Sequence, residues 1–143
     1  RGKKVGEGAF GVVWRGRWRH VTVAIKEVRT DAAERSDALI RDLKSEALKM
    51  QSLIPHPNVV RFYGISFQPL CIVTEYAHGG SLEALLYVSP YHPSPSSAPP
   101  PVPDAELTPA VRLGFMQDVA FGLHHLHEEG IIHRDLAARN VLL

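Results

Sequence analysis

Gly6-Glu7-Gly8-Ala9-Phe10-Gly11 spaces three glycines so that the chain could wrap a phosphate group. Without a Cβ, backbone amides can approach phosphate oxygens and the chain can take angles that a side chain would penalise. Alone, this GxGxxG is ambiguous, because several nucleotide folds use closely spaced glycines and an ordinary glycine-rich hairpin does too. The next residues narrow the choice. Val12-Val13-Trp14-Arg15-Gly16-Arg17-Trp18 reads as a strand, whereas a dinucleotide-binding fold opens a helix at that point. Val23-Ala24-Ile25-Lys26 comes next, and strand alternation puts Ala24 and Lys26 on one side, with Val23 and Ile25 on the other. A small residue there could admit a flat base while the lysine reaches phosphate; a solvated strand lysine is the plainer alternative. Glu46 shifts the balance, since an acid on the following helix can fix the lysine by an ion pair and keep it cationic.

The elements that must position these residues read as an α+β sequence. Residues 3–29 show three strand-like runs separated by glycine or polar breaks. Over about 31–53 the period changes, and Leu39, Leu43, Ala47, Met50 and Leu53 recur every three or four positions, as on an amphipathic helix. Pro55 and Pro57 end it, and strands are expected at 59–65 and 70–75. Gly79-Gly80 breaks the chain, and Ser81 is placed to cap a short helix through about Leu86. Residues 89–103 contain seven of the eleven prolines, so they are expected to form an insertion at about 89–104 rather than core. Thr108-Pro109 then reads as N-cap and first-turn proline of a helix ending at Gly130, with Val111, Phe115, Val119, Leu123 and Leu126 at helical spacing. Apolar residues make up 45% and charged residues 22% of 143, an ordinary globular balance. Sixteen Lys and Arg against fifteen Asp and Glu leave a net charge of +1, too little to point to nucleic acid or an anionic membrane. No run approaches the length of a transmembrane helix, and the single cysteine, Cys71, precludes an internal disulfide and favours a reducing, cytoplasmic setting.

After the Gly130 stop comes His133-Arg134-Asp135-Leu136-Ala137-Ala138-Arg139-Asn140, a highly specific stretch. With the glycine loop and strand lysine ahead of it in that order, the chain resembles a eukaryotic protein kinase, of the tyrosine-kinase or tyrosine-kinase-like group. The match runs from Gly6 to Leu143 and implies a partial kinase domain over 1–143. It comprises an N-lobe at 1–76, with an antiparallel five-stranded sheet and one regulatory helix, and a hinge and the start of a helical C-lobe at 77–143. The resemblance implies ATP and Mg2+ as cofactors. Gly6, Gly8 and Gly11 would form the phosphate-covering loop with Phe10 at its tip, Val13 would lie above the adenine, and Ala24 would line its pocket. Lys26 would contact the α- and β-phosphates and pair with Glu46. Thr74 resembles the gatekeeper, and Glu75, Tyr76 and Ala77 the hinge, with Leu142 beneath the adenine. Asp135 would take or orient the proton of a protein hydroxyl, and Asn140 would bind magnesium.

Ala137, where serine/threonine kinases usually carry lysine, and Arg139 together resemble the tyrosine-kinase form, favouring tyrosine or dual specificity. Arg134 resembles kinases that are switched on by loop phosphorylation. His124 and His127 lack carboxylate or cysteine partners at metal-ligand spacing, Cys71 reads as a buried small side chain, and Pro100 and Pro103 have PxxP spacing within a plain insertion. The residues end before an Asp-Phe-Gly is reached, so the second magnesium ligand is expected outside them and these 143 residues are expected to lack phosphotransfer alone. The expected function is ATP-dependent phosphorylation of a protein substrate by the parent enzyme; the alternative is a noncatalytic, pseudokinase-like nucleotide-binding regulator.

Overall fold

Runs of valine, isoleucine, threonine and aromatic residues in the first half of the chain become five antiparallel strands in the computed structural model, which describes residues 2–8, 11–28, 37–86 and 107–143. The strands are β1 (Lys4–Gly8), β2 (Gly11–Trp18), β3 (Val21–Val28), β4 (Phe62–Phe67) and β5 (Leu70–Glu75), in spatial order β1-β2-β3-β5-β4. Between β3 and β4 the chain runs through α1 (Asp37–Ser52), which lies against β4. The earlier turns expected for this helix fall outside the described residues. β4 starts three positions after the expected 59, because His56–Val59 is drawn away into a turn, closed by the Val59 N–H donating to the His56 carbonyl at 3.2 Å.

Register divides the sheet into two faces. Val13 stands opposite Lys26, Lys26 opposite Ile72 and Ile72 opposite Ile65, while Arg15, Ala24 and Thr74 align one step along on the same face. The other face carries Trp14, Ile25, Val23, Val73 and Cys71; Val23 is fully buried, Cys71 is buried, and the Trp14 indole N–H donates to Glu27 Oε2 at 3.2 Å. Lys44 of α1 sits 5.2 Å from the ring centre of Phe67 in β4, which pairs with Leu70.

The chain divides into two units, Arg1–Pro55 with Val60–Tyr76 and His56–Val59 with Ala77–Leu143. The second unit contains α2 (Leu82–Leu86), capped by Ser81, whose hydroxyl accepts from the Ala84 N–H at 3.1 Å. It also contains α3 (Pro109–Glu128), capped as its sequence predicts. Thr108 Oγ1 accepts from the Val111 N–H at 3.3 Å, and Pro109 takes the first turn, where no amide donor is needed. At the other end Gly130 adopts φ +73°, its N–H donating to His127 and that of Ile131 to Leu126, the paired bonds of a Schellman motif. His56–Val59 packs on this helix: the His56 and His125 rings stack with centres 4.7 Å apart, and a Cβ on buried Gly122 would lie 2.5 Å from the Asn58 carbonyl oxygen. The expected insertion lies outside the described residues.

Candidate functional site

In the first unit, the phosphate-loop residues occupy the β1–β2 hairpin. Gly6 pairs with Val13, and Gly8 with Gly11. Gly11 has φ 134°, a conformation that side chains resist, so its identity follows from the backbone. Gly6 differs: a Cβ there would meet nothing closer than Val13 Cβ at 3.9 Å, so internal packing does not demand glycine. The missing side chain leaves open space beside Val13, on the face that carries Lys26 and Ala24. Phe10 lies outside the described residues. Glu46 belongs to α1, and its side chain likewise falls outside what is described.

Lys26 projects from β3 between Val13 and Ile72, with Ala24 two residues before it, opposite Thr74. The alternation expected from sequence is therefore present in the ladder. Thr74 Oγ1 donates to the Glu75 carbonyl at 3.2 Å, and the Glu75 N–H donates to the Arg61 carbonyl at 2.9 Å. Glu75 Oε1 also accepts from the Arg61 N–H at 3.0 Å. The glutamate side chain thus has a structural task, tying the end of β5 to the entry of β4. Tyr76 supports the Arg15 guanidinium 5.2 Å from its ring centre.

In the second unit, Ala77 keeps a backbone N–H with no hydrogen-bond partner among the described residues. Two residues on, the glycine pair acquires two separate reasons. A Cβ on Gly79 would sit 2.7 Å from Leu143 Cβ and 2.8 Å from its carbonyl oxygen, while Gly80 has φ 78°. That close approach lets residues 141–143 lie antiparallel to 79–82, through Gly79 N–H to Leu143 at 2.6 Å, Leu143 N–H to Gly80 at 2.9 Å and Leu82 N–H to Val141 at 2.8 Å. Leu142, partly exposed, bridges to Ser81.

The same anchoring holds the segment that contains Asp135. A 3-10 turn at Ala138–Asn140 packs on α2 and brings Arg139 and Asn140 back toward the aspartate. Arg139 Nη2 donates to Asp135 Oδ1 at 2.7 Å, and Asn140 Nδ2 donates to Asp135 Oδ2 at 2.8 Å and to its carbonyl at 2.8 Å. Both carboxylate oxygens are therefore oriented, one by a cation and one by a neutral amide, yet the side chain remains open to solvent. Asn140 spends its amide nitrogen on this task, and its oxygen is left as an acceptor among the described residues.

Residue types alone give no sign of the turn just before Asp135. Arg134 has φ 64°, and the Asp135 N–H donates back to the His133 carbonyl at 2.9 Å, closing a three-residue turn of the rare positive-φ kind. A non-glycine residue held there stores on the order of 1–3 kcal/mol of strain, which the surrounding contacts must offset. The turn sharply redirects the backbone at the residue before the aspartate.

The donor set suits the groups that the sequence implied. Carboxylate and carboxamide oxygens are hard donors of the kind magnesium takes, and the open space at Gly6 beside a lysine suits phosphate.

Residues 1–143 match the profile of the family described as protein tyrosine and serine/threonine kinase. A probable serine/threonine-protein kinase of Dictyostelium discoideum is 35% identical over 141 residues, covering 99% of this chain and 10% of that protein. The dual specificity protein kinase pyk3 of the same organism is 33% identical, covering 99% of this chain and 9% of its own length. Human mitogen-activated protein kinase kinase kinase 7 is 37% identical over 139 residues, covering 97% and 20% respectively. The chain thus spans between about a tenth and a fifth of the length of these relatives.

Proposed function

This chain belongs to the protein tyrosine and serine/threonine kinase family, and on that footing we propose that its parent protein transfers the γ-phosphoryl group of ATP to a protein hydroxyl. The observation that carries this reading is the two-sided grip on Asp135, which presents an oriented, solvent-open carboxylate on a strained turn. In this role Asp135 accepts or orients the proton of the incoming hydroxyl, and Arg139 and Asn140 keep the carboxylate from rotating away. Lys26 supplies a fixed positive charge to the nucleotide phosphates, with Glu46 of α1 as the acid that keeps it placed. Gly6, Gly8 and Gly11 present backbone to phosphate. By the chain's resemblance to the family, Val13, Ala24 and Thr74 of the first unit would offer apolar contact or room to the base and the Glu75 carbonyl a hydrogen bond; the same resemblance gives Leu142 and the Ala77 N–H of the second unit to the base. Asn140 is the residue here that would hold Mg2+, an ion that neutralises phosphate charge as it is transferred.

The acceptor is proposed to be tyrosine, or tyrosine as well as serine and threonine. Support comes from Ala137, which stands two residues beyond the aspartate in place of lysine, and from Arg139, whose guanidinium contacts Asp135. One experiment addresses both levels. The full-length protein is offered ATP with peptide pools that differ only in carrying tyrosine, serine or threonine. Phosphotyrosine is expected to form, and Lys26→Met or Asp135→Asn is expected to lower transfer to every pool by about 100-fold or more. Normal turnover in either variant would overturn the assigned roles, and labelling confined to serine and threonine would overturn the specificity.

A further inference from the structure

Lys3, Arg15, Arg17 and His20 line a groove of about 560 Å3 in the first unit, and none of the described residues that line it is acidic. Among the described residues, none of Gly6, Gly8, Gly11 and Lys26 belongs to its lining, although Arg15 stands opposite Ala24 in the ladder. Its charge is local: among the first twenty residues Arg1, Lys3, Lys4, Arg15, Arg17 and Arg19 stand against Glu7 alone, in a chain whose total is +1. Glu7 is itself paired with Lys4. Among the described residues no carboxylate pairs with Lys3, Arg15, Arg17 or His20.

The backbone keeps these basic residues together. A Cβ on Gly2 would collide with the Arg15 carbonyl oxygen, and the Arg15 N–H donates to the Lys3 carbonyl at 2.8 Å. Only glycine allows that approach, which sets Lys3 beside β2. Arg15 and Arg17 stand two residues apart on β2 and so project from the same side. On the opposite face Gly16 must be glycine for a separate reason: a Cβ there would meet Ile25 Cδ1 at 2.7 Å. Arg15 is further steadied by the Tyr76 ring, and the turn of Arg19 and His20, both at positive φ, brings the histidine to the rim.

We propose that this groove binds the phosphate group of a phosphorylated peptide segment of a partner protein. Two guanidinium forks on one strand match the oxygens of a phosphate monoester, and a lysine adds a point charge. The volume lies within the range of sites that hold a side chain together with its neighbours. A nucleotide is disfavoured because Tyr76 beside Arg15, and Trp18 beside Arg17, already carry arginine guanidinium groups over their rings. Nucleic acid needs a long cationic track, whereas here the charge is confined to one patch of a nearly neutral chain.

The test uses the full-length protein and a fluorescein-labelled degenerate peptide pool with one central phosphoserine, read by anisotropy against the same pool unphosphorylated. The phosphorylated pool is expected to bind at least tenfold more tightly. Arg17→Glu, an exposed substitution, is expected to remove that preference with an unchanged thermal melt, as is the double variant Arg15→Ala with Arg17→Ala. Lys26→Met should bind the phosphorylated pool like the unsubstituted protein, which separates this site from the nucleotide-binding residues. Equal binding of the two pools, wild-type binding by Arg17→Glu, or tighter binding to phosphatidylserine vesicles or a single-stranded oligonucleotide would each overturn the proposal.

Discussion

Asp135, Arg139 and Asn140 lie within six residues of one another, but their sequence spacing does not say which oxygen each partner takes. The structure gives Oδ1 to the guanidinium and Oδ2 to the amide, so each partner can be removed separately. In the full-length protein Asp135→Asn is expected to lower kcat by about 100-fold to 10,000-fold, the range for a lost general base, as measured by steady-state phosphotransfer. Arg139→Ala should also lower kcat while changing the unfolding free energy by less than about 1 kcal/mol, because both members of the pair are more than half exposed. Chemical denaturation of the same preparation checks the second half of that expectation. The identities of these residues were legible in the sequence. The positive φ of Arg134 was not, since arginine carries no local preference for that region and only the contacts around it impose the turn.

Among the elements, helix ends were the most readable features. Thr108, Ser81 and Gly130 each perform the capping function their residue types suggest, because capping depends on groups within one turn of the chain. The β2–β3 hairpin behaves differently. Trp18 pairs with Val21 across Arg19 and His20, which take φ 45° and 69°, values that favour an asparagine-glycine pair at a two-residue turn. The double variant Arg19→Asn with His20→Gly should therefore raise Tm, by relieving strain of about 1 kcal/mol per residue. Gly122→Ala should act in the opposite direction. Its Cβ would press on the Asn58 backbone carbonyl, and forcing extra volume into packed structure costs about 1–3 kcal/mol, seen as a lower Tm. That contact also explains why 59–65 misjudged β4: Val59 belongs to a turn held on α3, and strand-like composition cannot register such a distant partner.

At the largest scale, α3 exposes Leu113, Met116 and Phe121 at 55%, 67% and 59%. Apolar side chains on this scale favour self-association. The 143-residue chain prepared alone is therefore expected to aggregate. Leu113→Lys with Met116→Lys should reduce its light scattering without lowering Tm, since neither side chain is buried here. None of the helices described is long and apolar enough to cross a membrane.

Local residue order was enough to specify the succession of elements, the sheet alternation around Lys26, the helix caps and the family signature, all of which depend on neighbouring residues or on fixed motif spacing. Long-range packing controlled the rest, and only the folded chain reveals it. Packing assigned His56–Val59 to the second unit, made Gly79 necessary through the approach of Leu143, and gave each oxygen of Asp135 its partner. Hairpin pairing also brought Lys3 beside Arg15 and Arg17, with His20, around one groove. A net charge of +1 concealed that groove, because a sum over the chain carries no information about where its charges meet.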